Sequence, residues 1–181
     1  MEVNLHIYSG IGNLIAIVDG IRNDLHISSK EVDHVYNFHG VNFDQLIILL
    51  PPSDPQNDLD VKIFNNDGSI ASNCINGARC VGRFIKDNSL LASNKFKVKT
   101  DGVLWELDNV ENNIFSAAFE VKAEIITKKV EAKGIELSLD CINLGNLHGV
   151  TFENKQIDMR FLDIGESLQR NISFPDGINF G

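Results

Sequence analysis

The stretch Ile63–Phe84 constrains the fold of this chain more than any other segment. It begins as the apolar end of a strand, passes through the turn signal Asn65–Gly68 and then reaches a cysteine, Cys74. Beyond Cys74 the apolar residues recur at helical spacing, which predicts a helix with one buried stripe. That stripe consists of Cys80, Val81, Phe84 and Ile85. The chain is therefore expected to turn from a strand into a buried helix, with Cys74 just ahead of the helix.

The position of Cys74 predicts a chemical property. A cysteine ahead of a helix faces unpaired backbone N–H groups at the positive end of the helix dipole. Because this setting stabilises the thiolate, we expect Cys74 to have an unusually acidic thiol and to be alkylated selectively near neutral pH. The surrounding loop is rich in Gly and Asn and can also hold an anion. From the residues alone, the alternative that Cys74 is a small buried hydrophobe stays open.

Length and composition restrict the class of protein. The chain has 181 residues, a net charge of −9 and 43% hydrophobic residues, which suits one domain or one and a half. Its acidity argues against nucleic-acid and anionic-membrane partners. The sequence contains neither a signal-peptide pattern nor a run of about 18 apolar residues, so we expect a cytoplasmic protein. Three cysteines without a C-x-x-C pair argue against a disulfide framework or a zinc site.

Two neighbouring motifs carry a family resemblance. The segments Asn65–Ser69 and Cys74–Cys80 together resemble the first cysteine motif of the diaminopimelate epimerases, which are PLP-independent amino-acid racemases. The opening Gly-x-Gly-Asn loop that ends at Asn13, and the Phe-Asp-Gln that ends at Gln45, are also similar to family motifs. The resemblance covers essentially the whole chain, which matches the N-terminal two-thirds of a family member.

The resemblance implies a fold and a division into domains. The fold class is α/β, with a curled, mainly antiparallel sheet around a central helix. Residues 1–120 are expected to form an N-terminal epimerase domain that carries Cys74. Residues 121–181 are expected to form an incomplete second domain, pseudo-symmetric with the first.

The resemblance also implies an activity: interconversion of LL- and meso-diaminopimelate by cysteine acid/base catalysis, in lysine and peptidoglycan biosynthesis. No cofactor and no metal ion is expected, and the expected partner is a small amino-acid substrate. The implied catalytic residue is Cys74. The implied substrate-binding residues are Asn13, Gln45, Asn65, Ile75, Asn76, Gly77, Asn146 and Asn179. His148 is an auxiliary candidate, although the residues alone leave a turn or core histidine open.

The sequence departs from the family pattern at several points. Ile75 replaces the glycine that follows the first cysteine, and a β-branched residue resists positive φ. Leu147 replaces a proline. The chain ends at Gly181, before the segment that holds the family's second cysteine. We therefore expect little racemisation by this chain alone, with a homodimer or a complementing chain as alternatives that could supply the missing group.

Two other interpretations remain. The chain could be a truncated or decayed member that binds a small ligand or a partner without catalysis, or a related proline racemase with the same fold. For the second domain, we expect apolar strand residues such as Leu137 and Leu139 to lack an internal partner. The region past Ala123 would then be mobile or covered by another chain, although residues 159–169 have a helical pattern.

Overall fold

The structure is a computed structural model that describes residues 4–22, 25, 27–38, 40–111, 114–144, 147–152 and 160–181. The chain divides into two compact units, Met1–Glu120 and Val121–Gly181. The helices are α1 (Ser29–Phe38), α2 (Ile75–Asp87) and α3 (Phe161–Gln169). None of these described helices is long and apolar enough to cross a lipid bilayer.

Among the described residues, eight strands belong to the first unit and four to the second. The first eight are β1 (His6–Gly10), β2 (Asn13–Asp19), β3 (Gln45–Leu50), β4 (Leu59–Asn65), β5 (Ile70–Ala71), β6 (Lys95–Lys99), β7 (Leu104–Glu111) and β8 (Ile114–Ala118). The last four are β9 (Ile126–Ala132), β10 (Ile135–Asn143), β11 (Leu147–Val150) and β12 (Asn179–Phe180).

The sheet of the first unit curls around α2. Its strands follow the order β1-β2-β3-β4-β6-β7-β8, with β5 paired to β4, and most neighbouring pairs are antiparallel. Strands from both ends of this path, β1 and β2 on one side and β7 and β8 on the other, contact the same helix. The predicted helical stripe is confirmed, since Cys80, Val81, Phe84 and Ile85 are each at most 4% exposed.

The central strands are buried on both faces, which explains their continuous apolar runs. Alternate residues of β2 and β3, such as Ile17 and Ile47, face α2 in one core cluster. Their chain neighbours, such as Val18 and Ile48, belong to a second cluster that includes Val32 of α1. Helix α1 begins directly after Ser28, whose backbone N–H and hydroxyl each donate to Glu31 Oε2 over 2.7 Å.

The second unit has its own core, and the expectation that its strands lack a partner is wrong. Strands β9 and β10 form a hairpin, β11 pairs with β10, and β12 pairs in parallel with β11. Leu137 and Leu139 are fully buried in a cluster with Ile164 and Leu168 of α3. The helix predicted over residues 159–169 thus fills the sheet from one side, so these apolar faces are covered without another chain.

Candidate active site around Cys74

Cys74 caps the buried helix of the first unit. Its backbone is extended (φ −153°, ψ 99°), and α2 begins at the next residue, as predicted. The Gly77 backbone N–H donates to Cys74 Sγ over 3.2 Å, so the sulfur takes the place of the hydroxyl or carboxylate oxygen usual at this position. A Cβ on Gly77 would lie 3.0 Å from Cys74 Sγ and 2.6 Å from Ile47 Cδ1. The glycine therefore leaves room for the thiol between α2 and β3.

Burial raises the pKa of the Cys74 thiol, and this effect outweighs the lowering by the backbone N–H groups of Gly77 and Asn76. The expectation of an unusually acidic thiol is therefore wrong for this state of the protein. The helix N-terminus does reach the sulfur, but the half-buried side chain has lost much of the water that would solvate a thiolate. Near neutral pH Cys74 is a protonated thiol.

Ile75 is compatible with the helix start. It is the first residue of α2, and it is not among the described non-glycine residues with positive φ. The conflict that the sequence suggests, between a β-branched side chain and a left-handed backbone, therefore does not arise. The Ile75 backbone N–H donates to no acceptor among the described residues, because the first turn of a helix lacks intrahelical acceptors. It remains available to an anion at the helix N-terminus.

Three predicted amide side chains lie along one edge of the sheet. Ile15 of β2 pairs with Gln45 of β3, and Gln45 pairs with Asn65 of β4. Asn13, two residues before Ile15, begins β2 at the same edge. Gln45 Nε2 donates to Asn65 Oδ1 over 3.0 Å. Since side chains alternate along a strand, these amides continue the row that contains Ile15 and Ile47 and faces α2.

The turn between β1 and β2 packs against the first turn of α2. A Cβ on Gly10 would lie 2.8 Å from the Asn76 carbonyl oxygen and 3.0 Å from Cys80 Sγ. Glycine is thus required for close approach of two backbones. The hairpin follows with positive φ at both turn residues, Ile11 (51°) and Gly12 (89°), which brings the chain directly to Asn13.

Sequence reasoning missed the residues that anchor the segment before Cys74. The buried Trp105 indole Nε1–H donates to Asn73 Oδ1 over 2.8 Å. The Thr100 hydroxyl donates to the Ser72 carbonyl oxygen over 2.9 Å. Both partners come from the hairpin of β6 and β7, far away in sequence. The only local signal was Thr100, which stands before an Asp-Gly turn. This pattern indicates a turn and does not show that Thr100 anchors the segment before Cys74.

Asp44 is a second feature that sequence reasoning missed. Its Oδ2 accepts from the Leu14 backbone N–H over 2.8 Å, and its own N–H donates to the Leu14 carbonyl oxygen over 2.8 Å. Its carbonyl oxygen accepts from the Asn66 N–H over 3.2 Å. Asp44 therefore ties together the chain segments that carry the three amides.

The remaining predicted site residues lie in the second unit. His148 of β11 and Asn179 of β12 are register partners in a parallel pair, so their side chains share one face of that sheet. His148 is half-buried and Asn179 is exposed. Asn146 lies outside the described residues. Roles for His148, Asn146 and Asn179 stay predictions.

Comparison with known sequences identifies the family of this chain. The diaminopimelate epimerase family model matches residues 5–118. The diaminopimelate epimerase of Stutzerimonas stutzeri is 31% identical over 185 residues, which cover 95% of this chain and 67% of that relative. The chain belongs to the diaminopimelate epimerase family. Membership places it among the epimerases and racemases, which are isomerases, and the predicted resemblance to this family is confirmed.

Solved structures agree on the fold. A PhzF-family phenazine biosynthesis protein of Bacillus anthracis matches with a TM-score of 0.60 at 16% identity, over 96% of this chain and 63% of that one. A probable proline racemase of Agrobacterium radiobacter matches with a TM-score of 0.54 at 12% identity, over 94% of this chain and 61% of that one. The chain thus spans less than two thirds of either structure. At these identities the likeness concerns the fold alone, and it confirms the predicted α/β class.

Proposed function

We propose that this epimerase-family chain binds diaminopimelate and that Cys74 moves the proton of the reacting Cα during interconversion of the LL and meso forms. The observation that carries the proposal is the Cys74 thiol at the N-terminus of α2, beside the Ile75 backbone N–H, which has no acceptor among the described residues. Three amide side chains lie at the neighbouring sheet edge. The metabolic setting that follows from this substrate is lysine and peptidoglycan biosynthesis.

The helix N-terminus supplies electrostatic stabilisation. When the Cα–H bond breaks, its electron pair delocalises into the adjacent carboxylate, where negative charge builds up. Backbone N–H groups of Ile75 and Asn76 at the start of α2 are suited to hold that carboxylate. Donors that are fixed before the reaction stabilise developing charge without a reorganisation cost.

The raised pKa of Cys74 suits a group that alternates between acid and base. As a thiol, Cys74 delivers its proton to the Cα carbanion: the S–H bond breaks, and the electron pair of the delocalised carbanion forms the new Cα–H bond. The thiolate that remains is a strong base because its conjugate acid has a raised pKa. It can take the Cα proton when the reaction runs in the opposite direction.

The amide row suits a substrate with polar groups at both ends. Diaminopimelate carries an ammonium and a carboxylate at each end, so one end can react while the other is bound by neutral donors and acceptors. Asn13, Gln45 and Asn65 offer both kinds of group at one sheet edge. Amides recognise such a zwitterionic end without adding net charge to the site.

A second candidate is a family member that binds a small ligand without inverting it. Inversion needs a proton donor on the opposite face of Cα, and the other two thiols, Cys80 and Cys141, are only 4% and 3% exposed. Burial raises the pKa of both thiols, that of Cys80 to about 11. Under the first candidate, a group other than Cys80 and Cys141 supplies the proton on that face.

Exchange of the Cα proton in D₂O separates the two candidates. We expect the wild-type chain to exchange the Cα protons of LL-diaminopimelate, measured by ¹H NMR. Removing the positioned acid/base group in C74A should slow exchange by about 10²–10⁴-fold, whereas the matched control C141A, in the second unit, should exchange at the wild-type rate. Binding without exchange would favour the second candidate. A chain that neither binds nor exchanges diaminopimelate would refute the first candidate.

A further inference from the structure

Four side chains at the site form a continuous run of hydrogen bonds. Asp67 Oδ1 accepts from the Ser69 hydroxyl over 2.6 Å and from the Ser69 backbone N–H over 2.8 Å. Asn65 Nδ2 donates to Ser69 Oγ over 2.9 Å. Gln45 Nε2 donates to Asn65 Oδ1 over 3.0 Å. The run leads from an exposed carboxylate to the half-buried amide of Gln45.

The carboxylate fixes the direction of every donor in this run. An ionised carboxylate can only accept, so Ser69 uses its single hydroxyl proton on Asp67. The Ser69 oxygen then accepts, which obliges Asn65 to turn its NH₂ toward Ser69 and its carbonyl oxygen toward Gln45. Gln45 must in turn present its NH₂ to Asn65. Among the described residues no donor forms a hydrogen bond with Gln45 Oε1, so this oxygen is available to accept one from a ligand.

We propose that Asp67 and Ser69 are positioning residues that set the amide orientations of Asn65 and Gln45, so that Gln45 offers a carbonyl oxygen to an ammonium group of the substrate. With an accepting oxygen at this position, this part of the site favours a ligand that carries an amine. This inference rests on the proposed function for the identity of the ligand. The orientation of the amides does not depend on the proposed function.

The turn that carries Asp67 and Ser69 is held rigidly enough for this role. The Asn65 backbone N–H donates to the Ser69 carbonyl oxygen over 2.8 Å, and the Gly68 N–H donates to the Asn65 carbonyl oxygen over 2.9 Å. Gly68 has a φ of +80°, and a Cβ there would collide with the Ser29 carbonyl oxygen. Hydrogen bonds from Ser69 also lower the pKa of Asp67, which keeps its carboxylate ionised at neutral pH.

The first experiment tests the directed run in the free protein. In ¹⁵N-labelled chain, the side-chain amide signals of Asn65 and Gln45 are compared among wild type, S69A and the matched control S69T. S69A removes the hydroxyl that links the carboxylate to the amides, and S69T keeps a hydroxyl. We expect faster hydrogen exchange and shifted resonances at both amides in S69A, with near wild-type values in S69T. An unchanged Gln45 amide in S69A would overturn the proposal.

The second experiment tests ligand polarity by calorimetric titration with LL-diaminopimelate and with pimelate, which has the same carbon chain and carboxylates but no amine. Wild type should prefer diaminopimelate. S69A should reduce that preference by about tenfold, the size expected when one hydrogen bond to a charged group is weakened, and S69T should retain it. If S69A lost affinity for both ligands equally, the role of Ser69 would be merely structural, and the proposal would be overturned.

The two experiments separate the failure of this inference from the failure of the proposed function. If neither ligand binds the wild-type chain, the proposed substrate is wrong, and the NMR comparison alone decides whether Asp67 and Ser69 orient the amides. If both ligands bind but S69A leaves the preference intact, the substrate class stands and the positioning role is refuted.

Discussion

Replacing Gly10 by alanine should loosen the N-terminus of α2. The new Cβ would lie 2.8 Å from the Asn76 carbonyl oxygen and 3.0 Å from Cys80 Sγ. Relaxation to ordinary contact requires a shift of roughly 0.5 Å, and one of the two neighbours is backbone. Overpacking of this kind costs about 1–3 kcal/mol, partly offset by about 0.5–1 kcal/mol because alanine restricts the unfolded chain more than glycine. We expect a net loss of about 1–2 kcal/mol.

Thermal unfolding of G10A can be followed in the first unit alone, because Trp105 is the single tryptophan of the chain. For a chain of this size, 1 kcal/mol corresponds to about 2–4 °C, so the fluorescence midpoint should fall by roughly 2–8 °C. The matched control is G165A in α3, where the one described atom that a Cβ would meet is Phe180 Cδ1 at 3.7 Å and alanine is the better helix former. If G10A unfolds at or above the wild-type temperature, the close approach of the β1–β2 turn to α2 is refuted.

Three further predictions concern the thiol, its anchor and the second unit. Because burial raises the pKa of Cys74, iodoacetamide should alkylate it more slowly than free cysteine at pH 7.5, with a rate still rising above pH 9; a faster rate than free cysteine would contradict this. W105F should lower stability by about 1–3 kcal/mol, since Asn73 Oδ1 loses its donor; circular dichroism measures the loss, and an unchanged midpoint would count against the anchor. L139A should cost about 2–5 kcal/mol and concentrate proteolytic cleavage within residues 121–181, whereas unaltered cleavage would show that this core does not hold the second unit.

The local order of the chain around Cys74 follows from the sequence. The turn signal, the cysteine and the periodic apolar residues together predict a strand, a loop and a helix with one buried stripe. These are short-range preferences, and the structure confirms them with α2 starting directly after Cys74 and Phe84 and Ile85 buried. The Gly-x-Gly-Asn loop is equally local, and it forms the turn between β1 and β2.

Properties that depend on distant neighbours were decided only by the tertiary structure. The helix dipole predicts an acidic thiol. The pKa of Cys74 also depends on how much water the packed sheet removes, and this desolvation raises the pKa more than the backbone N–H groups lower it. The strands of the second unit looked unpartnered because no local pattern shows that α3 folds back onto Leu137 and Leu139. Likewise, the donors that hold Asn73 and Ser72 lie about 30 residues further along the chain. Sequence periodicity reports which face of an element is apolar, whereas burial, solvation and hydrogen-bond direction depend on what that face meets.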